Sequence, residues 1–167
     1  MATLVDWQIR RLCDLNKAIT PFYEEQLNPA SYNLTIGTRG IVENATGFEE
    51  VDLIEGYKVP PGGWILVDVK EWTRIPPDHE AQVILRSSAA RKGWDHALAG
   101  YIDPGYRGRL TLEFTNCLRF HPLHIESGQQ LVQIKLNRLL NTPQRDYSAT
   151  GRYCNATKVE GNKDELI

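Results

Sequence analysis

Glu113 stands in the run RLTLEFT, residues 109–115, ten residues beyond Asp103 of the turn-forming Asp103-Pro104-Gly105. At period 2, Leu110, Leu112 and Phe114 share one face, and Thr111, Glu113 and Thr115 share the other. A carboxylate there has two readings. On a wet face it is an ordinary surface Glu, the commoner fate of that residue. In a pocket it is held out of water, where burial raises its proton affinity and makes it a group that moves protons.

The densest polar cluster is RSSAARKG, residues 86–93. Arg86, Arg91 and Lys92 bring cationic donors, and Ser87 and Ser88 bring hydroxyls and turn amides. That set suits phosphate oxygens. The plain alternative is a solvated strand end with serines opening a helix. His124-Ile125-Glu126 superficially matches the H-x-E of zinc deaminases. That site also needs P-C-x-x-C for its remaining ligands, and Cys117 lies upstream by itself. The four histidines (His79, His96, His121, His124) lack ligand spacing, so zinc is not expected.

The elements that must carry these groups are short strands. SYNLTIG (31–37), GWILVDV (63–69), AQVILR (81–86), RLTLEFT (109–115) and LVQIKL (131–136) are apolar or alternating runs. Between them lie Pro60-Pro61-Gly62-Gly63, Pro76-Pro77-Asp78, Asp103-Pro104-Gly105 and Ser127-Gly128. Many short strands at this spacing predict a sandwich, jelly roll or distorted barrel. Only the start reads as a helix, with Asp6 as its expected cap and Ile9, Leu12 and Cys13 on one face, the Thr20-Pro21 step closing that segment or the loop after it. From Asn141 onward the chain is polar and weakly patterned, and reads as a disordered tail or as a lid.

The 167 residues suit a single domain over 1–167, with about 141–167 as the lid or flexible tail. The 41% apolar and 24% charged shares belong to a soluble globular chain. A net charge of −2 argues against nucleic acid or an anionic membrane as the partner. No run reaches the roughly 18 apolar residues of a membrane helix, and no signal-peptide core is visible. Three scattered cysteines suggest reduced thiols, hence a cytoplasmic setting, or host cytoplasm if the source is viral. Lys163-Asp164-Glu165-Leu166 is not terminal, so it is not read as a retention signal.

RSSAARKG, AGYIDPGYRG and LTLEFTN, in this order and spacing, together resemble the dCTP deaminase branch of the dUTPase-like superfamily. LVDWQIRRLCD, PASYNLTIG and ESGQQLVQIKL extend the likeness across nearly the whole chain, and GRYCNATKVEGN continues it more loosely. The resemblance implies a mostly β, dUTPase-like distorted jelly roll or β-barrel with a short N-terminal helix. It implies a homotrimer with active sites shared between subunits. It further implies zinc-independent deamination of dCTP to dUTP, with hydrolysis of dUTP to dUMP and pyrophosphate in bifunctional members. Mg²⁺ would accompany the triphosphate, and dTTP is a candidate inhibitor. Glu113 takes the proton-relay position; Ser87 and the backbone around Ala99 take the positions that hold the attacking water. Arg86, Ser88 and Arg91 match anchoring positions. Asp103 matches the aspartate that contacts the sugar 3′-hydroxyl and orients water at the α-phosphate. Tyr106 matches an aromatic packed on the deoxyribose, Gln133 a phosphate contact, and Arg152 and Tyr153 phosphate contacts from the tail.

Four departures bear on activity. Asn33 stands where Asp is usual, Leu98 replaces a Thr, and Ala156 falls where a base-reading Gln is expected. The step from Arg86 to Asp103 is 17 residues, one shorter than in typical deaminases. These features keep two alternatives in view. One is a dUTPase-like pyrophosphohydrolase acting on dUTP, and on dCTP as well, without deamination; the other is a catalytically silent nucleotide-binding regulatory module.

Overall fold

The computed structural model describes residues 2–97 and 99–163; Leu98 and the end of the Lys163–Leu166 match lie outside them. The chain opens with β1 (Ala2–Thr3), α1 (Asp6–Asn16), β2 (Ile19–Thr20), β3 (Leu27–Asn28), β4 (Ser31–Leu34), β5 (Ile36–Asn44) and β6 (Gly47–Asp52). The middle holds β7 (Tyr57–Val59), β8 (Trp64–Arg74), β9 (His79–Leu85), α2 (Ser87–Ala90), β10 (Trp94–His96) and β11 (Tyr101–Ile102). It closes with β12 (Arg107–Asn116), β13 (Leu123–Ile125), β14 (Val132–Arg138) and α3 (Tyr147–Thr150). The expected mostly β architecture is present.

Among the described residues the strands form two six-stranded sheets and one two-stranded sheet. The first sheet runs β11-β9-β14-β4-β3, with β1 on β14; the second runs β10-β12-β8-β5-β6, with β2 on β8. Tyr32, Leu34 and Ile134 from the first sheet and Ile65, Val67, Leu112 and Phe114 from the second belong to one apolar core. The alternation of β12 is the clearest local rule: Leu110, Leu112 and Phe114 are buried, while Thr111, Glu113 and Thr115 are half-buried. Among the described residues no helix is long and apolar enough to cross a membrane.

Two local expectations change. Asp6 is the first helical residue rather than the cap: Val5 occupies the cap, its N–H donating to Gln8 Oε1 at 3.1 Å. Asp6 Oδ1 instead accepts from Trp7 N at 2.7 Å. SYNLTIG is not one strand, because Thr35 turns the chain from β4 in the first sheet to β5 in the second. Nor is its polar face wet. Ser31, Asn33 and Thr35 are buried, and each side chain finds a partner: Gln133, Gln130 and Gln26 respectively. Buried polar groups are retained when their hydrogen bonds are made, which alternation cannot reveal.

Candidate active site

A cleft of about 440 Å³ lies among the outward face of β12, the residues between β10 and the Asp103 turn, and the C-terminal tail. Of the residues singled out from sequence, Glu113, Asp103, Ala99, Tyr106, Tyr153 and Ala156 line it. Asp103 is placed by its turn: Pro104 sets one corner, and Gly105 takes φ +84°, a conformation that suits glycine. Tyr106 N closes the turn onto Asp103 O at 3.2 Å. Tyr106 is buried, and its hydroxyl donates to Arg109 O at 2.9 Å. Its ring centroid lies 5.8 Å from that of Tyr147 in the tail.

Glu113 reaches the cleft because β12 alternates. Its side chain retains 26% exposure. Burial holds the carboxyl above its ordinary value, opposed only by a backbone hydrogen bond. This is the pocket reading of the sequence: a carboxyl neither free in water nor neutralised by a close cation. Asp68 lies nearby, on the partner strand opposite Thr111. Its carboxylate is 2% exposed and also shifted upward, chiefly by burial, against the Arg39 amide and Arg109. Arg109 Nη1 stands 3.7 Å from Asp68 Oδ2, so Arg109 reaches the cleft with its charge partly engaged.

The tail completes the wall. Asn155 N donates to Arg107 O at 2.6 Å, Arg109 N to Ala156 O at 2.8 Å, and Glu160 N to Thr111 Oγ1 at 3.1 Å. Gly108 makes this approach possible. With φ +148°, its missing Cβ would stand 2.9 Å from Ala156 N.

The remaining sequence candidates lie outside the residues that line the cleft. Arg86 is half-buried, and its Nη1 donates to Gln130 O at 2.8 Å. Gln133 Oε1 accepts from Ser31 Oγ at 2.6 Å, and Asn33 Nδ2 donates to Gln130 Oε1 at 3.1 Å. Arg86, Gln130, Gln133 and Asn33 thus form a polar patch around the β4–β14 pair and the end of β9. Ser87, Ser88 and Arg91 are exposed on and just after α2, and Arg152 is an exposed tail residue. One chain therefore carries the cleft and the polar patch as two separate features.

Among the described residues no three His, Cys, Asp or Glu side chains are grouped as metal ligands. His124 and Glu126 form an exposed pair, Nε2 to Oε2 at 3.1 Å, and the three cysteines are free. Sequence reasoning missed Arg109, His96, Tyr147 and Glu160 as cleft residues. Arg109 shares the parity of Glu113 and was within reach of the same alternation; Tyr147 and Glu160 sit in a tail with no period to read.

A family profile for dCTP deaminase-like proteins matches residues 3–139. The chain belongs to the dCTP deaminase-like family. It is 34% identical over 166 residues to a dCTP deaminase of Pyrococcus horikoshii, covering 98% of this chain and 99% of that one. It is 32% identical over 179 residues to a dUMP-forming dCTP deaminase of Methanopyrus kandleri, covering 92% and 91% respectively. The 2′-deoxycytidine 5′-triphosphate deaminase of Agrobacterium tumefaciens superposes with TM-score 0.70 at 25% identity over 82% of this chain. This dCTP deaminase-like chain spans 48% of the length of that solved chain. Native EIAV dUTPase matches with TM-score 0.53 at 17% identity, covering 86% of this chain and 92% of that one, a likeness of fold.

Proposed function

We propose that this chain deaminates dCTP to dUTP and hydrolyses dUTP to dUMP and pyrophosphate. The observation that carries the reading is Glu113, a half-buried carboxyl with raised proton affinity in the same cleft as Asp103. Deamination adds water across cytosine C4, whose oxygen stays as the uracil carbonyl while the amine leaves as ammonia. Glu113 takes a proton from the attacking water and gives it to the ring nitrogen, then takes the hydroxyl proton of the C4 adduct and gives it to the leaving amine as the carbonyl forms. A carboxyl whose pKa is lifted toward the working pH performs both halves of that exchange better than an exposed one. Asp103 serves the other end of the nucleotide, contacting the sugar and orienting water at the α-phosphate. Tyr106 packs against the deoxyribose.

Ser87 and the backbone at Ala99 hold the attacking water, and Arg86, Ser88, Arg91 and Gln133 take the phosphates. Ser87, Arg86, Ser88, Arg91 and Gln133 stand outside the cleft residues of their own chain, so a second copy supplies them in a homotrimer with shared sites. The tail from about 141 acts as a lid, with Tyr153 at the cleft and Arg152 toward the phosphates. The reading assigns no step to zinc. Mg²⁺ would be held by the oxygens of the triphosphate itself, with Asp103, which lines the cleft, left to orient the water at the α-phosphate. When bound, that ion neutralises charge on the pyrophosphate leaving group.

One observation favours a second reading, hydrolysis without deamination. Ala156 is buried against Gly108 and presents no amide side chain to a base. Incubation with dCTP and with dUTP, each with and without Mg²⁺, decides between them. Ammonia from dCTP supports the proposal; pyrophosphate without ammonia supports the second reading. Neither product would overturn both.

A further inference from the structure

His96 is the last residue of β10, the edge strand of its sheet, and pairs with Phe114 in register. Its ring packs edge-on against Phe114, centroids 5.6 Å apart. From the strand end, Nε2 comes round to 3.9 Å from Glu113 Oε2, too long for a hydrogen bond. The side chain is 5% exposed and lines the cleft. Nε2 is buried and has no hydrogen-bond partner, one of few such atoms among the described residues. Burial holds the imidazole below its ordinary value, against the pull of Asp95.

A buried ring nitrogen left unpaired is penalised unless something completes it. A cleft water, a nucleotide or the Glu113 carboxylate can do so. The carboxylate is the best fit. It lies about 1 Å of movement from hydrogen-bond distance, and the Phe114 contact fixes the ring from the core side.

We propose that His96 is a positioning residue for Glu113: neutral Nε2–H donates to one carboxylate oxygen and turns the other toward the base. The role explains why an uncharged imidazole, rather than Lys or Arg, stands beside the proton-relay group. A permanent cation would hold Glu113 ionised and weaken it as an acid, whereas a neutral donor orients it and leaves it able to accept a proton. Because Phe114 anchors the ring, the carboxyl loses freedom on a rigid element rather than on a loop, which is what a relay group requires.

The kinetic arm of the test rests on the deaminase reading; the spectroscopic arm does not. His96→Phe keeps the packing against Phe114 and removes the donor, and His96→Gln restores an N–H near the Nε2 position. Expected for His96→Phe is a fall in kcat for ammonia release from dCTP of about tenfold or more, with KM changed less than about threefold. His96→Gln should recover a substantial part of that loss. In the unliganded protein, nitrogen-15 spectra of His96 should show the Nε2–H tautomer, with a signal that moves in Glu113→Ala. An Nδ1–H tautomer, or a signal indifferent to Glu113→Ala, would overturn the proposal even if the parent protein released no ammonia. So would unchanged kcat in His96→Phe, a rise in KM alone, or equal losses in the Phe and Gln variants. Absence of ammonia from the parent would instead count against the deaminase reading, leaving the spectra to decide the role of His96.

Discussion

Glu113 works against the fold that holds it. Its carboxyl binds a proton more tightly in the folded chain than in the unfolded one, because burial disfavours the charge. Between the ordinary carboxylate value and the raised folded value, the native state holds more protons, so stability falls as pH rises through that window. Glu113→Gln never ionises. Its thermal midpoint should match or exceed the parent's at about pH 7.5, and the difference should vanish below about pH 4, under the ordinary carboxylate value. A lower midpoint at neutral pH would contradict the burial argument. The same variant should lose ammonia release by about 10²-fold or more while retaining nucleotide binding, the size expected when a general acid–base group is removed. Deamination at the parent rate would remove Glu113 from the relay. Its identity was visible in the period-2 pattern; its environment was not, because alternation separates two faces without saying what covers the second.

At the scale of elements, β12 and the tail are one device. Gly108 lets the chain at Ala156 come within backbone hydrogen-bond distance of β12, and the contacts to Arg107, Arg109 and Thr111 follow from it. Gly108→Val adds a branched side chain at φ +148° and against Ala156 N. The expected cost is about 1–3 kcal/mol, expressed as detachment of the tail rather than global unfolding. Limited proteolysis should cut the segment after Asn141 faster, and KM for the nucleotide should rise about tenfold, since the cleft loses one wall. A tail that stays protected with unchanged KM would show that it is not part of the site. Strand positions were largely legible, because Leu110, Leu112 and Phe114 or Ile65 and Val67 announce a buried face. The corner at Thr35 was not. It depends on Glu71, 36 residues away, accepting the Thr35 amide hydrogen bond at 3.0 Å, and no local pattern encodes a partner that distant.

For the whole molecule, the division into a cleft and a separate polar patch is the decisive feature. Arg86 is tied to Gln130 and Gln133 to Ser31, while Glu113 and Asp103 face the cleft. If copies share sites, Arg86→Ala and Glu113→Gln should each be inactive when alone yet recover part of the activity when denatured together and refolded. Some interfaces of the mixed assembly then join an intact patch to an intact cleft. No recovery in mixtures that sediment as trimers would place each site within one chain. The sequence by itself determined the β-rich class, the buried faces of the strands and the chemical types at the site, since these rest on local periodicity and on the reactivity of named side chains. Only the tertiary structure decided that the polar face of β4 is sealed, that the tail forms a wall, and that His96 stands beside Glu113. Each of those facts is a meeting of residues far apart in the chain or on different strands, set by sheet pairing and core packing rather than by any neighbour in sequence.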